Sequence, residues 1–306
     1  MISRPTVLVI GAAAALLLPL GFWLAKSSPT LAPDTAYKPG PFRRLAAPPA
    51  SPPPRGPTEF NTETSALLEL ARSGSPAEID MLLDQLRQET DPRRRQTLRT
   101  ALSSISNPAA AQHLITRLAE VDDEDAILGL ERALSVMADE SVVRSLAAAY
   151  ETVPEARAPR ITRVVESVLH DAAVPALAAL VADPAIPATD ELSKAALKAL
   201  ARLGTPYAAA TLARRLDSAT ALEEIEFLGH LLAAVDRAGT QSEITAIAQG
   251  KQDATQTHTR LAAMRALSHY PTEETASALR HLASDPDPQV GSLAQSLQAQ
   301  MRTPAQ

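Results

Sequence analysis

Residues 199–217 read ALARLGTPYAAATLARRLD, and residues 101–118 read ALSSISNPAAAQHLITRL. Both stretches place small and apolar residues on either side of a short break that contains proline. In the first, Leu200 and Leu212 stand twelve positions apart across this break, and the second has the same arrangement. Apolar residues three or four positions apart are typical of an amphipathic helix. Both stretches therefore predict the same unit, which is a helix, a tight turn and a second helix.

An apolar pair with this spacing occurs seven times, and successive pairs are 31 to 35 residues apart. The pairs are Leu70/Leu82, Leu102/Leu114, Leu134/Leu146, Val165/Leu177, Leu200/Leu212, Leu232/Ile244 and Leu267/Leu279. One helix pair cannot cover both of its apolar faces, but stacked neighbours can. We therefore expect an all-α fold, a right-handed α-solenoid of about seven helix-turn-helix repeats. Residues 285–300 resemble the first helix of an eighth repeat.

Each pair is interrupted by residues that break or cap helices. Ser, Thr, Asn and Asp cap helix N-termini, and proline is tolerated in a first turn. The predicted breaks lie at Gly74-Ser75-Pro76, Ser106-Asn107-Pro108, Asp139, Asp171, Gly204-Thr205-Pro206, Gly239-Thr240 and Pro271-Thr272. The second helices are then predicted at 77–88, 109–120, 141–151, 173–182, 207–216, 242–249 and 273–283. In a curved stack, these alanine-rich helices would line the concave inner face.

These residues resemble HEAT-like repeats, in particular the short variety also found in phycobilisome-lyase-type proteins. The resemblance rests on loops such as Asp285-Pro286-Asp287-Pro288, on first helices that end in Ala-Leu, as at Ala199-Leu200, and on second helices such as AAVPALAAL at 172–180. It covers about residues 60–301. Tetratricopeptide repeats have a similar period, but their recurring aromatic positions have no counterpart here.

The first 27 residues form a predicted signal anchor. Val7–Ala25 is nineteen residues without a charge, and a helix of that length spans roughly 28 Å, close to one bilayer core. Arg4 precedes it, and Trp23 lies near its far end, which suits the membrane interface. A cleaved signal peptide is the competing interpretation, but the positions around Ala25 and Ala32 make poor cleavage sites. We expect an uncleaved anchor, with the following domain outside the cytoplasm.

Residues 28–58 contain ten prolines and are predicted to be an extended, disordered linker. A docking site for a proline-binding domain is the alternative. The chain through residue 58 has six basic residues and one acid, which leaves 23 basic and 34 acidic residues for the predicted repeat domain, 59–306. The resulting net charge of −11 repels polyanions, so nucleic acid is not expected as a ligand.

Enzymes with HEAT-like folds include hydroxylases that bind iron through His-Glu pairs, but this chain has no His-Glu dipeptide and no cysteine. Its histidines are His113, His170, His230, His258, His269 and His281. His269 and His281 stand on consecutive predicted helices, yet a metal site requires further ligands. We interpret them as surface residues, and bilin lyase activity has no supporting residues beyond the repeats.

Three charged clusters stand out. Arg93-Arg94-Arg95 with Arg99 forms one basic cluster, and Arg157, Arg160 and Arg163 form another. HEAT-like DNA glycosylases use basic faces, but solvated helix faces are the preferred interpretation here. The third cluster, Asp122-Asp123-Glu124-Asp125, lacks the pattern of a calcium loop and is predicted to start a helix at Ala126.

The sequence predicts a non-enzymatic scaffold or adaptor that is tethered to the membrane and binds a protein partner through the concave face. No catalytic residue, cofactor, metal or small-molecule substrate is indicated. The expected location is the cytoplasmic (inner) membrane, as a single-pass protein whose repeat domain is periplasmic or otherwise extracytoplasmic. Two alternatives are open: an enzyme or lyase-type protein on the same fold, and a structural part that organises the cell envelope.

Overall fold

The computed structural model describes residues 57–183, 186–251 and 256–302. These residues form helices and connecting turns, with no strand. The α-helices are α1 Pro57–Ser73, α2 Pro76–Gln88, α3 Pro92–Ser103, α4 Ala111–Glu120, α5 Glu124–Met137, α6 Glu140–Thr152, α7 Ala158–Glu166, α8 Val174–Leu180, α9 Glu191–Leu203, α10 Pro206–Ser218, α11 Leu222–Ala233, α12 Gln241–Ala248, α13 Thr257–Leu267, α14 Glu273–Leu282 and α15 Pro288–Arg302. Short 3₁₀ turns at 108–110, 171–173 and 238–240 lead into α4, α8 and α12.

Within the described ranges the helices form seven consecutive pairs, from α1/α2 to α13/α14, and α15 follows in the position of the first helix of an eighth unit. The odd-numbered helices, called first helices below, contact one another in succession. Among the even-numbered helices, called second helices, α4 to α12 contact one another in succession, and side-chain hydrogen bonds connect α2 to α4 and α12 to α14. The helix-turn-helix repeat predicted from the sequence is therefore confirmed.

The apolar pairs that defined the repeat are the core of the stack. Leu102, Leu134 and Leu200 in the first helices are fully buried, as are Leu114 and Leu212 in the second helices. One continuous cluster of buried side chains extends from Leu67 to Leu297. Each fully buried leucine stabilises the fold by roughly 1.5–3 kcal/mol. Because neighbouring repeats share this cluster, no single repeat carries a complete core.

The first helices α3 and α5 approach each other closely where a glycine faces a leucine. A Cβ added to Gly129 of α5 would lie 2.9 Å from the Cβ of Leu102 in α3. Glycine inside a helix normally costs stability. At this position it permits the contact between two neighbouring repeats.

The described residues form one compact unit. The predicted anchor and all of the proline-rich linker except its last two residues lie outside the described residues. Pro57 and Thr58 were predicted to belong to the linker, but they start α1. Among the helices that the structure describes, none has both the length and the hydrophobicity needed to cross a bilayer.

Candidate functional site

The candidate site is the solvent-exposed side of the second helices, here called the second-helix surface. Side-chain caps fix where four of these helices start. Ser75 forms a capping box with Glu78 at α2, and Asp139, Thr205 and Thr272 cap α6, α10 and α14. Asn107 caps the 3₁₀ turn at 108–110 that leads into α4. Each cap satisfies an N–H group that has no partner within the helix. The turn residues thus determine where these second helices start, and so which of their residues face the solvent.

Two predicted caps are wrong. The side chain of Asp171 does not cap α8, because it forms an ion pair with Arg237 at 2.6 Å. The side chain of Thr240 does not cap α12. Thr240 is fully buried, and its hydroxyl donates a hydrogen bond to the carbonyl of Gly204. In both cases a contact with another repeat replaces the local cap: Asp171 reaches a repeat two units along the stack, and Thr240 reaches the neighbouring one.

The two basic clusters lie mostly between repeats. Arg95 of α3 binds Asp123 through Nη2 at 2.7 Å and Asp125 through Nε at 2.8 Å. Its Nη1 also donates to the carbonyl of Leu86 at the end of α2, at 2.9 Å. This arginine therefore connects three consecutive repeats. Its positive charge stabilises the carbonyl end of α2 and pairs with the carboxylates at the start of α5.

Arg160 of α7 has an equivalent role. It donates to the carbonyl of Leu118 at 3.0 Å and to that of Val121. Its side chain is only 15% exposed, and that of Arg95 only 23%. The prediction that these two arginines lie on solvated helix faces is wrong, whereas Arg93 and Arg163 are exposed as predicted. A linear pattern of charges does not indicate which of them meets a helix end about 40 residues away.

The acidic run at 122–125 completes these contacts. Asp123 accepts a hydrogen bond from the N–H of Ala126 and caps α5, which starts at Glu124, two residues earlier than predicted. Its neighbour Asp122 pairs with Arg157 at 3.3 Å. The acidic run therefore both starts a helix and forms ion pairs with arginines of neighbouring repeats.

A charged cleft of about 260 Å³ lies between α2 and α4, at the N-terminal end of the second-helix surface. Arg117 binds both oxygens of Asp80, at 2.7 and 2.8 Å, and Nε2 of His113 lies 2.9 Å from the same carboxylate. The hydrogen bond from Arg117 holds the pKa of Asp80 below its ordinary value. Because Arg117 occupies both oxygens, this carboxylate is a structural anion rather than a general base.

A second cleft, of about 350 Å³, lies between α8 and α10 in the middle of the surface. We call it the central cleft. It is lined by Pro175, Ala178, Ala179, Val181, Ala182, Tyr207, Thr211, Arg214, Arg215 and Ser218. Tyr207 is 54% exposed, the largest aromatic surface on the described second helices. The cleft is open and mostly apolar, which suits contact with another macromolecule more than enclosure of a small substrate.

The sequence did not single out Tyr207 or Arg214, although a signal was present. The other second helices have small residues or glutamate at the position equivalent to Tyr207, such as Ala77, Ala109 and Ser141. One tyrosine in this register is therefore an exception that alignment of the repeats reveals.

A third cleft of about 500 Å³ lies between α12 and α14, where amide and hydroxyl groups stand beside alanine and glycine. The amide Nε2 of Gln241 donates to the Thr272 hydroxyl at 2.7 Å and to the Thr275 hydroxyl at 3.2 Å. The three clefts thus follow one another along the second-helix surface and differ in their polar groups: an ion-paired carboxylate in the first, arginines beside a tyrosine in the second, and amides and hydroxyls in the third.

The six histidines do not converge on one site. His113 contacts Asp80, while His230, His258 and His269 contact backbone carbonyls at 2.6–3.1 Å. His269 and His281 are exposed, as predicted. Within the described ranges, no three side chains of histidine, aspartate or glutamate come together as metal ligands would.

No protein-family model matches the chain, and no curated protein matches it. Solved structures with a similar arrangement include human deoxyhypusine hydroxylase in complex with glycerol, which is 15% identical, with 80% of this chain and 97% of that chain covered at a TM-score of 0.33. An engineered protein is 16% identical over 78% of this chain and 74% of that one, with a TM-score of 0.30. A designed armadillo repeat protein is 17% identical over 72% and 98%, with a TM-score of 0.24. The class defined by the fold, a helical repeat protein, rests on the stacked helix pairs themselves.

Proposed function

We propose that this helical repeat protein is a binding scaffold of the HEAT-like type that holds a protein partner on its second-helix surface. The observation that carries the proposal is the central cleft, where an exposed tyrosine stands beside small apolar side chains. Tyrosine is enriched at the centre of protein interfaces because it buries a large area and keeps a polar end. Alanine and proline around it leave a shallow surface that a partner side chain can fill.

The ion pairs between repeats support a scaffold role. Arg95 and Arg160 each connect helix ends to neighbouring loops. Such contacts hold the repeats in a fixed register, so the second-helix surface is preorganised before a partner arrives. Preorganisation lowers the entropic cost of binding.

Site-specific photocrosslinking tests the proposal. A photoreactive phenylalanine analogue is placed in the full chain at Ala179 or at Ala148, both exposed on the second helices. The control position is Ala234, which is exposed at the C-terminal end of α11, a first helix. We expect irradiation of native membranes to give the same crosslinked protein at Ala179 and Ala148 and none at Ala234. An adduct formed only at Ala234 would refute the assignment of the binding face.

We also propose that residues 7–25 anchor the scaffold in the cytoplasmic membrane and that the repeat domain works on the extracytoplasmic side, near membrane-bound partners. The support is the nineteen-residue stretch without a charge, followed by a proline-rich stretch at 28–56 that would reach at most roughly 90 Å if it is extended. A tether of this kind raises the local concentration of the binding domain near the membrane.

Membrane extraction tests the tether. After an alkaline carbonate wash, the full chain is expected in the membrane pellet, whereas a variant without residues 1–27 is expected in the supernatant. Added protease is expected to degrade the repeat domain of the full chain in intact spheroplasts. Complete extraction of the full chain by carbonate would contradict the anchor, and full protection from protease would contradict the orientation.

A further inference from the structure

The arginines of the second helices differ in one respect that bears on the chemistry of the partner. There are six of them, and five form ion pairs with carboxylates of the same domain. These five are Arg87, Arg117, Arg144, Arg215 and Arg280. The sixth, Arg214, has no carboxylate within ion-pair distance among the residues that the structure describes. It is also the one that lines the central cleft as an exposed cation.

The contacts of Arg214 within the domain are weak. Its Nε donates to the carbonyl of Ala210 at 3.4 Å, and its Nη2 donates to the hydroxyl of Thr211 at 3.3 Å. Both distances are longer than those of a good hydrogen bond to oxygen. The guanidinium therefore keeps most of its five N–H donors available, and a carboxylate can take them without displacing an internal anion.

The adjacent Arg215 provides an internal comparison. Its side chain is 5% exposed, binds Glu224 at 2.8 Å and donates to the carbonyl of Asp183 at 3.2 Å. Two consecutive arginines of α10 thus have different environments. Arg215 is neutralised inside the stack, whereas Arg214 faces the cleft beside Tyr207 and Ala179.

We propose that the central cleft binds a protein segment in which an aspartate or glutamate stands next to an apolar side chain. The carboxylate pairs with Arg214, and the apolar side chain packs between Tyr207 and Ala179. This inference rests on the proposed function and adds the chemistry of the partner. The domain is acidic as a whole, so the cleft selects the segment by local pairing and shape, while long-range repulsion lowers the rate of association.

Selection from a random peptide library tests the inference. Full-length protein in detergent micelles is panned against twelve-residue peptides displayed on phage. We expect the enriched peptides to contain an acidic residue adjacent to an apolar one. A synthetic, fluorescent copy of one such peptide is then titrated against wild type, Arg214→Ala and Tyr207→Ala. Both variants are expected to weaken its binding about tenfold or more.

Two further variants separate the specific contact from general charge. Arg144→Ala removes an exposed second-helix arginine that is already paired with Glu140, and we expect it to change the dissociation constant less than twofold. Panning against Arg214→Glu is expected to enrich basic peptides. Circular dichroism verifies that each variant is folded.

Several outcomes would overturn the inference. One is a set of enriched peptides with no excess of acidic residues, and another is binding that Arg214→Ala leaves unchanged. Enrichment of proline-rich basic peptides like residues 47–57 would indicate that the chain's own linker is the occupant. Peptides that require a free C-terminal carboxylate would indicate capture of chain ends. If crosslinks to a partner still form at Ala179 and Ala148 in any of these cases, the scaffold function stands and only the acidic-segment inference fails.

Discussion

Gly129→Ala and Gly229→Ala are expected to change stability in opposite directions. Both glycines lie inside first helices, Gly129 in α5 and Gly229 in α11. The two substitutions are chemically identical, and each gains roughly 0.5–1 kcal/mol from the higher helix propensity of alanine. The surroundings of the added methyl group therefore decide the sign.

At Gly229 the new Cβ meets nothing within 4 Å, so the propensity gain remains. At Gly129 the new Cβ lies 2.9 Å from the Cβ of Leu102 and 3.4 Å from the carbonyl of Arg99. The Cβ of Leu102 is fixed to the backbone of α3, so the two helices must separate. Overpacking of this kind costs about 1–3 kcal/mol. We expect Gly129→Ala to destabilise the domain by up to about 2.5 kcal/mol net, and Gly229→Ala to stabilise it by roughly 0.5–1 kcal/mol.

Urea unfolding followed by circular dichroism at 222 nm gives both values. Long repeat arrays can unfold in more than one step. The urea midpoints of two variants are therefore compared only where their m-values, the slopes of unfolding free energy against urea concentration, agree. Equal stabilisation by the two substitutions would show that α3 and α5 are not in direct contact. That result would refute the close packing of neighbouring repeats.

Three further predictions concern caps, buried hydroxyls and pH. Ser75→Ala removes the capping box of α2, and we expect unfolding at lower urea with a loss of about 1 kcal/mol. Tyr270→Phe is expected to cost about 1 kcal/mol, measured the same way, because the buried hydroxyl donates to the carbonyl of Val235 at 3.0 Å. The hydrogen bond from Arg117 lowers the pKa of Asp80, so its stabilisation is complete above about pH 4 and is lost as pH falls through the lower folded-state value. The urea midpoint of wild type is therefore expected to fall as the pH drops below about 4, more steeply than that of Arg117→Met; parallel profiles would contradict this.

The period of the chain was predictable because it depends on local chemistry. Leucines twelve residues apart, with glycine, proline or a capping residue between them, specify a helix pair without knowledge of distant residues. Ser75 and Thr205 are examples, since each caps the helix that starts at the next residue. Their effect acts within one turn of helix.

The contacts between repeats were not predictable in the same way. The sequence suggested that Arg95 and Arg160 belong to charge clusters on the surface. In the structure each contacts helix ends and acidic loops of other repeats. Asp171 and Thr240 read as caps, yet each prefers a partner at least 36 residues away. These choices depend on how the repeats are stacked, and no local pattern contains that information.

The central cleft has one feature that was predictable from the sequence and one that was not. The sequence predicted that 207–216 belongs to a second helix on the binding face, and the structure confirms the helix. That Arg214 has no ion pair with the described part of the chain could not be predicted, because Arg215 stands beside it in an almost identical sequence context. Only the fold decides which of the two meets Glu224.

A pair of engineered cysteines tests the register of the stack most directly, because the chain has no cysteine of its own. Ser135 and Ser167 lie 32 positions apart, and their hydroxyl oxygens are separated by 2.5 Å across two neighbouring repeats. We expect Ser135→Cys with Ser167→Cys to form a disulfide under mild oxidation, detected by electrophoresis and mass spectrometry. The matched pair Ser135→Cys with Glu166→Cys, shifted by one position to an exposed site, is expected to remain reduced. A disulfide that closes only in the shifted pair, or in neither, would contradict the stacked arrangement of the repeats.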